Sequence, residues 1–125
     1  MKKLLIIDDE EDVLAVISLR LNRQGFHVVC AGTGEEGLEI LKTYVPDLIL
    51  LDIRLPGING FEVCRKIRQN PEMSSTAILF FTAGQQEAHR LEYYQELGAQ
   101  GYIMKPFEAP ELLNRVAECL NGIPA

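Results

Sequence analysis

The chain has 125 residues, 47% of them hydrophobic and 24% charged, a balance that suits one soluble globular domain with one core. Its formal net charge of -6 works against non-specific binding to nucleic acid or to an anionic membrane surface. No apolar run reaches the ~18 residues of a membrane span. Met1-Lys2-Lys3 leads into a short apolar run and then acids, without a signal-peptide pattern. The 3 cysteines form no CxxC pair, so reduced thiols and a cytoplasmic protein are expected, without thiolate–metal chemistry.

In chain order, an apolar run over 4–7 predicts a first buried strand, closed by Asp8-Asp9-Glu10-Glu11-Asp12. A helix follows, with Val13, Val16, Ile17 and Leu21 on one face and acids in its first turn, where they complement the helix dipole. Gly25 stops it, and 26–31 is a second strand. Thr33 and Glu36 form a capping box for a second helix carrying Leu38, Ile40 and Leu41. Pro46 precedes the run over 48–51, which ends at Asp52 and is followed at once by Pro56, Gly57, Asn59 and Gly60. An apolar run closed by turn residues predicts a strand buried on both faces of a parallel sheet.

Asn59 and Glu62 cap a third helix with Phe61, Cys64 and Ile67 inward, and Asn70-Pro71 breaks it. The run over 77–81 is a fourth strand, ending at Thr82-Ala83-Gly84. A fourth helix is expected over 86–97, weakly marked and stopped by Gly98. The fifth strand covers 101–104 and ends at Lys105-Pro106-Phe107, and Pro110 opens a last helix with Leu112, Leu113, Val116 and Leu120 apolar. Five strands alternating with five helices predict an α/β doubly wound parallel sheet with right-handed crossovers. The sheet order cannot be read from the pattern.

In that architecture the strand ends bearing Asp8-Asp9, Asp52, Thr82 and Lys105 share one rim, where open α/β sheets place their ligand crevices. Clustered carboxylates repel unless a cation joins them, and an oxygen-only set suits a hard divalent ion, first of all Mg2+. A hydroxyl and an ammonium beside them could hold phosphoryl oxygens. Each residue alone has an ordinary reading: acids at a helix start, a turn threonine, a solvated lysine. Their joint placement argues for a site. A competing motif, Gly32-Thr33-Gly34-Glu35-Glu36-Gly37, matches GxGxxG before a helix. Yet Glu35 and Glu36 would face a pyrophosphate with the wrong charge. The motif also follows the second strand, where a dinucleotide fold would place it after the first. No GxxxxGK[ST] loop is present, and His27 and His89 are isolated.

These residues resemble the receiver domain of bacterial two-component response regulators, of the single-domain, chemotaxis-regulator-like kind. The resemblance covers essentially the whole chain. It rests on Ile6-Ile7-Asp8-Asp9-Glu10, on 52–60, on Phe81-Thr82-Ala83 and on 98–107. It implies a flavodoxin-like (βα)5 fold with sheet order 2-1-3-4-5. It also implies a single receiver domain over 1–125 with no output domain. Asp52 is then expected to be the phosphoacceptor, charged from the phosphohistidine of a sensor histidine kinase or histidine phosphotransfer protein. Mg2+ would be held by Asp9, Asp52 and the backbone carbonyl of Arg54, with Asp8 acting through water. Lys105 and Thr82 would contact the phosphoryl group, Tyr102 would be the switch aromatic, and the Lys105–Pro106 bond would be cis.

The resemblance further implies readout on the face of the fourth helix, fifth strand and fifth helix by a downstream effector protein, without direct nucleic-acid or membrane contact. The protein would be a monomer or a phosphorylation-dependent homodimer. It would not be an enzyme beyond catalysing its own phosphorylation and dephosphorylation. Leu55 and Asn59 stand where the family often has Met and Asp, and Arg54 and Gly84 occupy positions that tune dephosphorylation in the family. The alternatives are a nucleotide-binding module on the glycine loop, an Mg2+-dependent phosphohydrolase using Asp52, and a phosphate-independent scaffold.

Overall fold

The five apolar runs become five parallel strands: β1 (Lys3–Ile7), β2 (His27–Ala31), β3 (Leu48–Asp52), β4 (Ala77–Thr82) and β5 (Gly101–Met104). They belong to a computed structural model that describes residues 1–83 and 93–121. The sheet order is β2-β1-β3-β4-β5, so the flavodoxin-like expectation holds. Helices α1 (Glu11–Arg23), α2 (Gly34–Ile40) and α3 (Gly60–Arg68) connect the first four strands, with a 3-10 turn at Pro71–Met73. The C-terminal helix (Ala109–Asn121) follows β5. Of the helix expected over 86–97, residues 86–92 lie outside the described residues, as do His89 and Gly84. The rest closes in turns, with the Leu97 N–H donating to the Tyr93 carbonyl at 3.1 Å.

Side chains alternate between the two faces of each strand, and the core divides accordingly. Leu4, Ile6, Leu48, Leu50, Leu79, Phe81 and Ile103 pack with Ile17 and Leu21 of α1 and Leu112 and Val116 of the C-terminal helix. Leu5, Ile7, Ile49, Leu51, Ile78 and Phe80 pack on the other face with Phe61, Val63, Cys64 and Ile67 of α3. Every residue of β3 and β4 is buried, as expected for central strands under helices on both sides.

One expectation about a helix face needs correction. Val16 is 54% exposed; the inward line of α1 runs Val13–Ile17–Leu21 at fourfold spacing, which turns Val16 outward. The apolar side expected for the second helix holds: Leu38 and Ile40 pack half-buried against the core and Leu41, just past the end of α2, is buried in it, while within α2 Gly34 and Gly37 are the buried positions. A Cβ at Gly34 would stand 2.5 Å from Val63 Cγ2, and one at Gly37 would stand 2.5 Å from Ile7 Cδ1. Thr33 Oγ1 accepts the Glu36 N–H at 3.0 Å. The glycines of the GxGxxG stretch therefore let α2 lie close against β1 and α3, and its threonine caps the helix. No described helix is long and apolar enough to cross a membrane, and all three cysteines are unpaired.

Candidate functional site

Strand parity and register build the site. Asp8 and Asp52 continue the alternate rows Leu4–Ile6 and Leu48–Leu50, the face covered by α1 and the C-terminal helix. β1 and β3 pair Ile7 with Leu51, so their next residues, Asp8 and Asp52, leave the sheet side by side. Beyond β5, the Lys105 N–H donates to the Thr82 carbonyl at 2.9 Å, and the Lys105–Pro106 peptide is cis. The ammonium returns across the rim: Lys105 Nζ lies 2.8 Å from Asp8 Oδ2, 3.4 Å from Asp52 Oδ2 and 3.4 Å from Glu10 Oε1.

The carboxylates are fixed from behind by the backbone. Asp8 Oδ1 accepts the Glu10 N–H at 2.9 Å, and Asp52 Oδ1 accepts the Arg54 N–H at 3.2 Å. Asp8 and Asp52 are buried, at 0% and 4% exposure. Oxygens of Asp8, Glu10 and Asp52 lie within 4.8 Å of one another. Three carboxylates thus face one ammonium, a formal surplus of two negative charges that a divalent cation would neutralise. An all-oxygen set of this kind fits a hard ion.

Glu10 is the residue that sequence reasoning left without a role. Asp9, the expected direct ligand, is exposed, and its carboxylate is not part of the group. The strand ends at Ile7, and the turn that follows leaves Asp9 exposed while Glu10, at the N-cap of α1, reaches the rim. Position alone marked both as helix-start acids, and only the fold of the β1–α1 turn distinguishes them. Thr82 is fully buried at the same rim. It continues the row Ile78–Phe80, on the α3 face. Tyr102, half-buried, pairs in register with Phe80 and packs on that same side. Its ring centroid lies 5.6 Å from that of Tyr94.

Burial pushes the Asp52 carboxyl up to about 6; the charge of Lys105 opposes this and that of Asp8 adds to it. Burial alone would lower the pKa of Lys105, but its hydrogen bond to Asp8 and the charges of Asp52, Asp8 and Glu10 raise it. The ammonium is therefore charged at neutral pH. A stability prediction follows for Asp52. Between pH 3.8 and about 6 the folded protein holds a proton that the unfolded chain has released, so stability falls as pH rises through that window. Asp52→Asn removes the ionisation. In metal-free buffer at pH 7 it should be more stable than wild type by roughly 2–3 kcal/mol, with the gain vanishing below about pH 4. Urea unfolding of both proteins across pH 3.5–7.5 checks this, and a pH-independent difference would contradict it.

Gly60 sets the loop that carries this strand end. Its N–H donates to the Ile53 carbonyl at 2.8 Å. An added Cβ would overlap the Asp52 carbonyl oxygen and lie 2.7 Å from Ile53 Cα. Both neighbours are backbone, so neither can rotate away. Gly60→Ala should cost about 1–3 kcal/mol in denaturant unfolding, and a loss under a few tenths would mean that the loop relaxes freely.

Comparison with known proteins agrees with this geometry. The family model "Response regulator receiver domain" matches residues 4–117. The alkaline phosphatase synthesis transcriptional regulatory protein PhoP of Bacillus subtilis is 41% identical over 119 residues, covering 95% of this chain and 48% of PhoP. The chain thus spans about half the length of that curated relative. Among solved structures, a protein described as a response regulator from Chloroflexus aurantiacus J-10-fl superposes with a TM-score of 0.88 at 38% identity, covering 96% of this chain and 98% of that one. The chemotaxis response regulator CheY4 of Vibrio cholerae gives 0.88 at 28% identity, covering 95% and 98%.

Proposed function

The chain belongs to the response regulator receiver domain family, and from that premise we propose that it is a phosphoacceptor switch of a two-component phosphorelay. Asp52 attacks the phosphorus of a phosphohistidine on a sensor histidine kinase or histidine phosphotransfer protein. An O–P bond forms at the Asp52 carboxylate as the P–N bond breaks, and the leaving imidazole nitrogen keeps the electron pair and takes up a proton. Mg2+ is the expected cofactor; the Asp8, Glu10 and Asp52 carboxylates form the group that would hold it, with Asp9 and the Arg54 carbonyl as the further ligands that the family resemblance implies. When bound, it neutralises charge on the reacting oxygens. Lys105 orients the acceptor and then meets the phosphoryl oxygens.

Thr82 reads the phosphoryl group from the neighbouring strand end, and Tyr102, on the same face of the sheet, couples that contact to the surface of β5 and the C-terminal helix. There a downstream effector protein would dock. The protein turns over its own Asp52 rather than an external substrate, and works in the cytoplasm. The observation that carries this reading is the ammonium of Lys105 shared between two buried carboxylates, Asp8 and Asp52, at a strand rim.

The test is intact-mass measurement after mixing with phosphoramidate or acetyl phosphate and Mg2+. One added phosphoryl group, absent without Mg2+, is the expected result. Release of many equivalents of phosphate per protein would instead favour a phosphohydrolase. No adduct under any condition would leave a phosphate-independent scaffold.

A further inference from the structure

We propose that Phe81 is a positioning residue: its ring face holds the Lys105 ammonium over the acceptor site. The inference rests on the phosphoacceptor reading and assigns a role to a residue that would otherwise count as core. Lys105 Nζ stands 4.7 Å from the centroid of the Phe81 ring. Phe81 is the register partner of Asp52 on the adjacent strand, so the ring lies beside the carboxylate in the row that begins with Asp8. Its edge is set in turn by Phe107, whose ring centroid is 6.3 Å away at 67°.

The composition of this face separates the role from ordinary packing. Among the described buried residues of this core half, Phe81 is the one aromatic, in company with Leu, Ile, Val and Ala. An aliphatic side chain would fill the strand end, but it would offer the ammonium no negative ring face. A cation held against an aromatic ring is attracted by the ring quadrupole, and more strongly where water is scarce. Lys105 is in that condition, with its side chain only 12% exposed.

The ring also differs in kind from the other three partners. The charge on Asp52 is redistributed when its carboxylate becomes an acyl phosphate. A cation among the carboxylates competes with the ammonium for Asp8, Glu10 and Asp52. The quadrupole of Phe81 is the same before and after. It keeps Lys105 within reach while its ionic partners are exchanged.

Fluorination of the ring tests this, because fluorine drains the ring face of electron density while altering shape little. In the full chain, phenylalanine 81 is replaced by its 4-fluoro, 3,5-difluoro and 3,4,5-trifluoro analogues. Phosphoryl uptake from phosphoramidate is then followed at saturating Mg2+, with urea unfolding as a control. The uptake rate should fall stepwise with fluorine number, by about two- to tenfold at the trifluoro ring, with unfolding midpoints nearly constant.

Proton NMR supplies a second reading that needs no phosphoryl donor. The ε-methylene of Lys105 should resonate upfield from ring current in the unsubstituted protein and return to the ordinary lysine position in Phe81→Leu. A flat fluorine series in a protein that takes up phosphate overturns the proposal, and so does a Lys105 signal that Phe81→Leu leaves in place. Absence of phosphoryl uptake in the unsubstituted protein strikes the phosphoacceptor reading itself, and the proposal falls with it.

Discussion

Asp52→Asn is expected to take up no phosphoryl group. The substitution keeps the shape of the side chain and its capacity to accept the Arg54 N–H but removes the carboxylate proposed as the nucleophile. The loss in uptake rate should be on the order of a thousandfold or more, the scale seen when an attacking group is deleted. The remaining acids do not replace it. Asp8 is engaged on both oxygens, by the Glu10 N–H and by Lys105, while Asp9 and Glu10 are exposed. Lys105 keeps Asp8 and Glu10 as partners, so the variant should fold and serve as a clean control. Intact mass after incubation with phosphoramidate and Mg2+ measures the outcome. A full adduct on Asp52→Asn would move the acceptor to another side chain and undo the assignment.

The largest loss of stability from a single polar change is expected at Arg68→Ala. Arg68 ends α3, and its guanidinium donates to the carbonyls of Gly98 at 2.7 Å, Met73 at 2.8 Å and Thr76 at 2.8 Å, and to Gln100 Oε1 at 3.2 Å. That same Gln100 oxygen accepts the Ile78 N–H at 2.7 Å. One side chain therefore joins the end of α3, the 3-10 turn, the entry to β4 and the turn before β5. Truncation leaves several partly buried acceptors without their charged donor. Hydrogen bonds to charged groups and stranded acceptors each cost about 1–3 kcal/mol, and partial hydration recovers some of this. The expected net loss is about 2–4 kcal/mol, a large share of the ~5–15 kcal/mol that holds a typical domain together.

Arg68→Lys should recover little, because a single ammonium cannot reproduce the planar fork that reaches three carbonyls. Urea unfolding decides: a loss below about 0.5 kcal/mol would show that water substitutes freely for the guanidinium. Gly98 reinforces the point. It has φ +94°, and a Cβ there would come within 2.8 Å of Arg68 Cγ.

Residues 48–52 were legible at once, because four apolar residues closed by an acid and then by turn residues carry their own boundaries. The ends of β1, β4 and β5 were legible for the same reason. So was the cap of α3, where Asn59 Oδ1 accepts the Glu62 N–H at 3.0 Å. Each of these signals is local: it depends on neighbours within a few positions and survives in any context. The family resemblance added the sheet order and the expected roles of the site residues, neither of which periodicity contains.

By itself, then, the sequence determined the α/β alternation, the buried central strand and which residues would stand at the strand ends. Tertiary structure alone decided which of those residues meet. Lys105 reaches Asp8 across 97 positions of chain because β5 and β1 lie in one sheet and the turn after β5 points back across its rim. The β1–α1 turn then placed Glu10 in the carboxylate group and Asp9 outside it, while strand parity set Thr82 and Tyr102 on the opposite face from Asp52 and put Phe81 beneath the ammonium. Close approach of helices turned Gly34 and Gly37 into contacts. The physical reason is common to all: element identity is fixed by short-range propensity and pattern, whereas face, register and approach distance exist only once strands pair and helices pack.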